Sequence, residues 1–169
     1  MKISKADIGQ ETGLEIPRYV SLKSNDANIR VGPSKNYPIE IKYIKKNYPL
    51  KIIEEYQNWR KVVDFKKNIG WIHKSLISGN RTGIIQAIDK TPKLFNTLDG
   101  KIIGEIGEGN IVHLDKCKID WCLVSIENFK GWMNKKYIWG VEDKEVFKIS
   151  FHQIFEDIYW ESINFLNKI

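Results

Sequence analysis

Apolar and polar positions alternate along most of this chain in short runs, and small polar turns separate the runs. Tyr19, Val20 and Leu22 open a strand-like stretch that ends at the turn Gly32-Pro33-Ser34. "IEIKYI" alternates loosely, "KKN" turns the chain, and "LKIIEEY" and "WRKVVDF" follow with Gln57-Asn58 between them. A second "KKN" leads into "GWI". His73-Lys74-Ser75 is too short for an α-helix and suits one 3₁₀ turn, after which Leu76 and Ile77 close the unit.

The pattern then repeats. "IGWIHKSLI" from Ile69 returns as "KGWMNKKYI" from Lys130, 61 positions later. "NIVHLDKCKIDW" has the length of "YPLKIIEEYQNW", so Trp59 aligns with Trp121, Val62 with Val124 and Gly70-Trp71 with Gly131-Trp132. A repeated set of short strands predicts a mainly β protein of two tandem small barrels rather than one α/β domain.

The last stretch has a different period. Phe151, Ile154, Phe155, Ile158, Ser162 and Phe165 fall on one face at helical spacing, with Asp157, Glu161 and Asn164 opposite. This predicts an amphipathic helix from about Ser150 or Phe151, with Ser150 as its N-cap. The expected organisation is a flexible N-terminal segment over 1–16, a first barrel over 17–82, a second over 83–142 and a C-terminal strand and helix extension over 143–169.

Charge refines the picture. Of the net +6, residues 1–85 hold a surplus of about eight, while residues 86–169 are about two units negative. An acidic partner is therefore expected at the first unit, although lysines at hairpin tips also read as solvated turns. No apolar run is long enough to span a membrane. The first residues, "MKISKADIGQETG", lack the apolar core of a secretion signal.

"NIRVGP", the Trp-x-x-Val of "WRKV" and "GWIHKSLI" resemble the bacterial Src-homology-3-like domain. The opening "TGLEIPRYVSLKSNDANIRVGPS" is similar to a group of tandem, envelope-associated proteins of that kind. The resemblance covers about residues 12–142. It implies that Val62 and Ile72 point into a barrel, that Trp59 lies on the outside beside a groove, and that the glycine before Trp71 lets two strands approach closely.

The resemblance also places candidate ligand-binding residues. Arg30, Tyr37 and Trp59 would form a groove in the first unit, and Trp121, Trp132 and Tyr137 one in the second. The plain structural alternative is that these aromatics cap the barrels or fill the interface between them. The eukaryotic relatives carry acidic residues in the first long loop to pair the arginine of proline-rich ligands. Here that loop holds Arg30 and Lys35, which argues against such peptides.

No catalytic set is evident. His73, His113 and His152 are scattered, and no nucleophile sits beside an orienting group. Cys117 and Cys122, with His113 alone nearby, fall short of a zinc site, so neither metal nor cofactor is expected. The resembling group implies a disulfide between these two cysteines. Strand parity turns Cys122 inward and Cys117 outward unless a bulge intervenes.

The expected function is a non-enzymatic binding module of the cell envelope, periplasmic or exported, recognising peptidoglycan or its peptides. The alternatives are a protein-interaction scaffold using the grooves and the C-terminal helix, through which chains would self-associate, and a cytoplasmic location. Nucleic acid is not the expected partner, because the lysines are spread over hairpin tips instead of lining one aromatic-rich strand face.

Overall fold

The computed structural model describes residues 7–146. They form one short hairpin and two antiparallel seven-stranded sheets. The hairpin pairs β1 (Asp7–Ile8) with β2 (Glu15–Ile16). The first sheet takes β3 (Arg18–Leu22), β4 (Ala27–Arg30), β5 (Ile39–Tyr43), β6 (Pro49–Tyr56), β7 (Trp59–Val63), β8 (Ile69–His73) and β9 (Ile77–Ser78). The second takes β10 (Thr82–Ile85), β11 (Lys93–Phe95), β12 (Ile102–Glu105), β13 (Ile111–Cys117), β14 (Trp121–Ile126), β15 (Phe129–Asn134) and β16 (Ile138–Trp139). Their orders are β5-β4-β8-β7-β6-β3-β9 and β12-β11-β15-β14-β13-β10-β16, the same order strand for strand. The helix expected from Ser150 or Phe151 lies outside the described residues.

Each sheet wraps its own core. Val20, Leu22, Ile29, Leu50, Ile52, Val62 and Ile72 fill the first, and Ile85, Leu94, Val112, Leu114, Val124 and Met133 the second. Val62 lies across from Gly70, and Val124 across from Gly131. A Cβ on Gly70 would sit 2.3 Å from Ile29 Cγ2 and 2.9 Å from the Arg30 carbonyl. On Gly131 it would sit 2.6 Å from Leu94 Cγ and 2.7 Å from the Phe95 carbonyl. The repeated Gly-Trp pair thus marks where β4 crosses β8 and β11 crosses β15, too close for any side chain.

A bulge recurs too. The β6–β7 register shifts between Ile52 and Glu54, and the β13–β14 register between Leu114 and Lys116. The extra residue reverses parity beyond it. Cys117 therefore faces inward opposite Cys122, and the two are joined as a disulfide within the second core. The equivalent cross-strand pair in the first sheet is Glu55 and Arg60, whose Oε1 and Nε lie 3.4 Å apart and whose side chains are buried.

That buried carboxylate corrects the expectation that residues 1–16 are loose. From Asp7 onward they fold as the β1–β2 hairpin. The amides of Glu11 and Thr12 each donate to Glu55 Oε2 at 3.0 Å, the Thr12 hydroxyl donates to Oε1 at 2.8 Å, and Arg18 donates to Oε1 at 2.7 Å. A buried charge needs such partners, and the hairpin supplies those that the barrel lacks.

The barrels pack against each other. Trp139 of β16 meets Tyr19 edge-on at 5.3 Å and Phe65 at 5.9 Å. Ser21 donates to the Asn80 carbonyl at 2.6 Å, and Thr82 donates to the Asn47 carbonyl at 2.7 Å. The chain after β16 clasps both units. Glu142 pairs with Lys51 of the first at 2.5 Å, and Glu145 pairs with Arg81 of the connector. The buried Lys135 amine donates to the carbonyls of Asp143 at 3.2 Å and Glu145 at 2.5 Å. Burial lowers its pKa.

Candidate functional site

A groove opens on the outer face of the second barrel. Trp121 begins β14, Asn134 ends β15, and the two are cross-strand partners on the side away from Val124. Phe95 of β11 shares that face through its pairing with Trp132. The Phe95 and Trp121 rings meet edge-to-face at 5.5 Å. Tyr137, in the 3₁₀ turn Lys135–Tyr137 after β15, closes one end. Lys90, Lys93 and Lys136 complete the lining of a cavity of about 180 Å³. The 3₁₀ turn is fixed by its cap, because the Asn134 side chain accepts from the Lys136 amide at 3.1 Å.

Asp89 organises one wall. It accepts from the Tyr137 hydroxyl at 2.8 Å and from Lys136 Nζ at 3.3 Å. The Tyr137 hydrogen bond, then Lys136, holds the Asp89 carboxyl below its ordinary pKa, while interaction with Tyr137, then with Asp89, raises that of Lys136. Only 5% of Tyr137 remains exposed, so its ring is wall and its hydroxyl is already committed. Among the described residues, no ion pair involves Lys90 or Lys93.

The residues singled out in the sequence divide between places. Trp121 and Tyr137 line this groove. Trp132 does not; it lies farther along the same face, with Lys118 Nζ 5.3 Å from its ring. In the first barrel, Trp59 faces away from Val62 but keeps only 9% exposure, edge-on to His73 at 5.4 Å. It is a packed side chain rather than an open platform. Arg30 donates to the backbone carbonyl of Tyr37 at 2.7 Å, so it braces its own loop. Tyr37, 46% exposed, stacks over Gly32.

His73 also has a structural task. Its Nδ1 accepts from the Ser75 amide at 3.3 Å and lies 2.7 Å from the Ser75 hydroxyl, capping the 3₁₀ turn as Asn134 does in the second barrel. Among the described residues, no group of His, Cys, Asp or Glu is arranged to hold a metal ion, and no helix is long and apolar enough to cross a membrane.

The lysines of the groove were missed in the sequence because they come from separate elements. Averaged over its half of the chain, their charge is cancelled by acids elsewhere. A cationic aromatic groove thus lies in the second unit, although the surplus of basic residues lies in the first half of the chain.

A family model described as the bacterial SH3 domain matches residues 23–79 and again residues 97–140. No curated protein matches the chain. Two solved structures resemble it distantly. NlpC2 from Trichomonas vaginalis has 10% identity and a TM-score of 0.31 over 73% of this chain and 48% of its own. NlpC1 from the same organism has 11% identity and a TM-score of 0.30 over 82% and 50%. The chain spans about half the length of each of these structures.

Proposed function

The chain belongs to the bacterial SH3 domain family, and on that premise we propose that it is a non-enzymatic binding module of the bacterial cell envelope, recognising peptidoglycan or its peptides. The observation that carries the proposal is the second-barrel groove, where Phe95, Trp121 and Tyr137 form apolar walls among Lys90, Lys93 and Lys136. Walls of this kind pack against the aliphatic parts of a ligand, and amines attract its carboxylates. A periplasmic or exported location is part of the proposal. It draws support from the Cys117–Cys122 disulfide, a bond that persists in oxidising compartments.

The test is retention on purified insoluble peptidoglycan. The wild-type protein is expected to sediment with it, and Trp121→Ala to remain in the supernatant. Equal retention of both proteins would place the ligand elsewhere. A second function, as a protein-interaction scaffold, is favoured by one observation. A cavity of about 350 Å³ on the same barrel is lined by Leu94, Ile106 and Ile126 and flanked by the exposed side chains of Ile103 and Phe129. Self-association through a C-terminal helix concerns residues outside those described.

A further inference from the structure

We infer that the second-barrel groove takes one carboxylate, carried on a short and otherwise uncharged stretch of peptide. The inference rests on the envelope-binding function proposed above and names the chemistry that the site would read. Charge points to an anion. Of the three lysines, Lys136 is compensated by Asp89 at 3.3 Å, whereas Lys90 and Lys93 form no ion pair among the described residues. The groove therefore carries a net positive charge, three lysines against the neighbouring Asp89 and Glu105, beside the apolar walls of Phe95 and Trp121.

The number of anionic groups is limited by the acids around it. Asp89 engages two lining residues, Tyr137 and Lys136, with its two oxygens, and Glu105 is the cross-strand partner of Lys93. A polymer bearing a charge on every unit would bring further anions against these carboxylates, while a single carboxylate meets only the lysines. No arginine lines the groove, so an anion would be held by the ammonium groups of lysines as point charges. Size limits the rest: at about 180 Å³ the cavity is smaller than the ~300 Å³ at which pockets for whole drug-sized ligands begin, so it holds one or two residues of a chain.

The experiment is an NMR titration of the full chain with two synthetic probes, N-acetylated Ala-Gly-Ala as the free acid and as the C-terminal amide. The acid is expected to bind roughly tenfold more tightly, the yield of two partly exposed ion pairs. That advantage shrinks with added salt and disappears in the Lys90→Gln/Lys93→Gln double variant, while Trp121→Ala weakens both probes alike. Equal binding of acid and amide by a protein that still sediments with peptidoglycan overturns the inference and leaves the proposed function standing. Failure to bind either probe together with failure to sediment overturns both. Inorganic polyphosphate displacing the acid probe at lower concentration than the probe itself also overturns the inference, in favour of a polyanion.

Discussion

Glu55→Gln preserves shape and removes a charge at the point where the N-terminal hairpin meets the first barrel. The Glu55 side chain has no solvent exposure. Burial alone would raise its pKa. The hydrogen bonds from Arg18, Thr12 and the Glu11 amide, with the Arg18 charge, outweigh burial and bring it from 4.5 to about 2. At about 1.4 kcal/mol per pKa unit, ionisation of this group favours the folded state by about 3 kcal/mol. The folded pKa is the depressed one, so this contribution is complete above 4.5 and is lost as pH falls through about 2. Urea unfolding of both proteins across that range isolates it, because every other carboxylate titrates alike in the two. The variant is expected to be about 3 kcal/mol less stable near neutrality, with the difference closing towards acid. A difference that does not change with pH would refute the argument that charge, rather than shape, holds the hairpin.

Four further outcomes follow from the geometry. Val62→Asp or Val124→Asp, placing a carboxylate at a fully buried site, is expected to unfold its own barrel; an unchanged melting curve would contradict the register. Gly70→Ala forces a methyl against Ile29 and the Arg30 carbonyl and is expected to cost about 1–3 kcal/mol in chemical denaturation. Unfolded protein without reductant is expected to show no free thiol among its two cysteines, and reduction to cost about 2 kcal/mol for so short a loop. Trp139→Ala removes ring contacts to Tyr19 and Phe65, so calorimetry is expected to resolve one coupled transition into two; a single sharp transition in the variant would show that other contacts join the barrels.

The duplicated architecture was legible because its signals are local. Val62 and Val124 each stand three residues after a tryptophan, and each Gly-Trp pair is dictated by a crossing strand. What escaped depends on long-range partners. Glu55 sits in "LKIIEEY" like any solvent-facing acid; only the folded hairpin, more than forty residues away, shows it buried. The bulge at Asp115 leaves no mark in the residue pattern, so parity alone turned Cys117 the wrong way. Trp121 and Tyr137 were within reach because they repeat a motif, whereas Lys90 and Lys93 have no counterpart in the first unit's motif and join the groove through tertiary packing.

Glu55–Arg60 and Cys117–Cys122 occupy one position in two copies of a barrel. The copies are therefore locked by unlike chemistry, one ionic and one covalent. Strong acid unfastens the first and spares the second; a reducing agent does the reverse. The cross-link at this shared position thus answers to the proton in one copy and to reductant in the other.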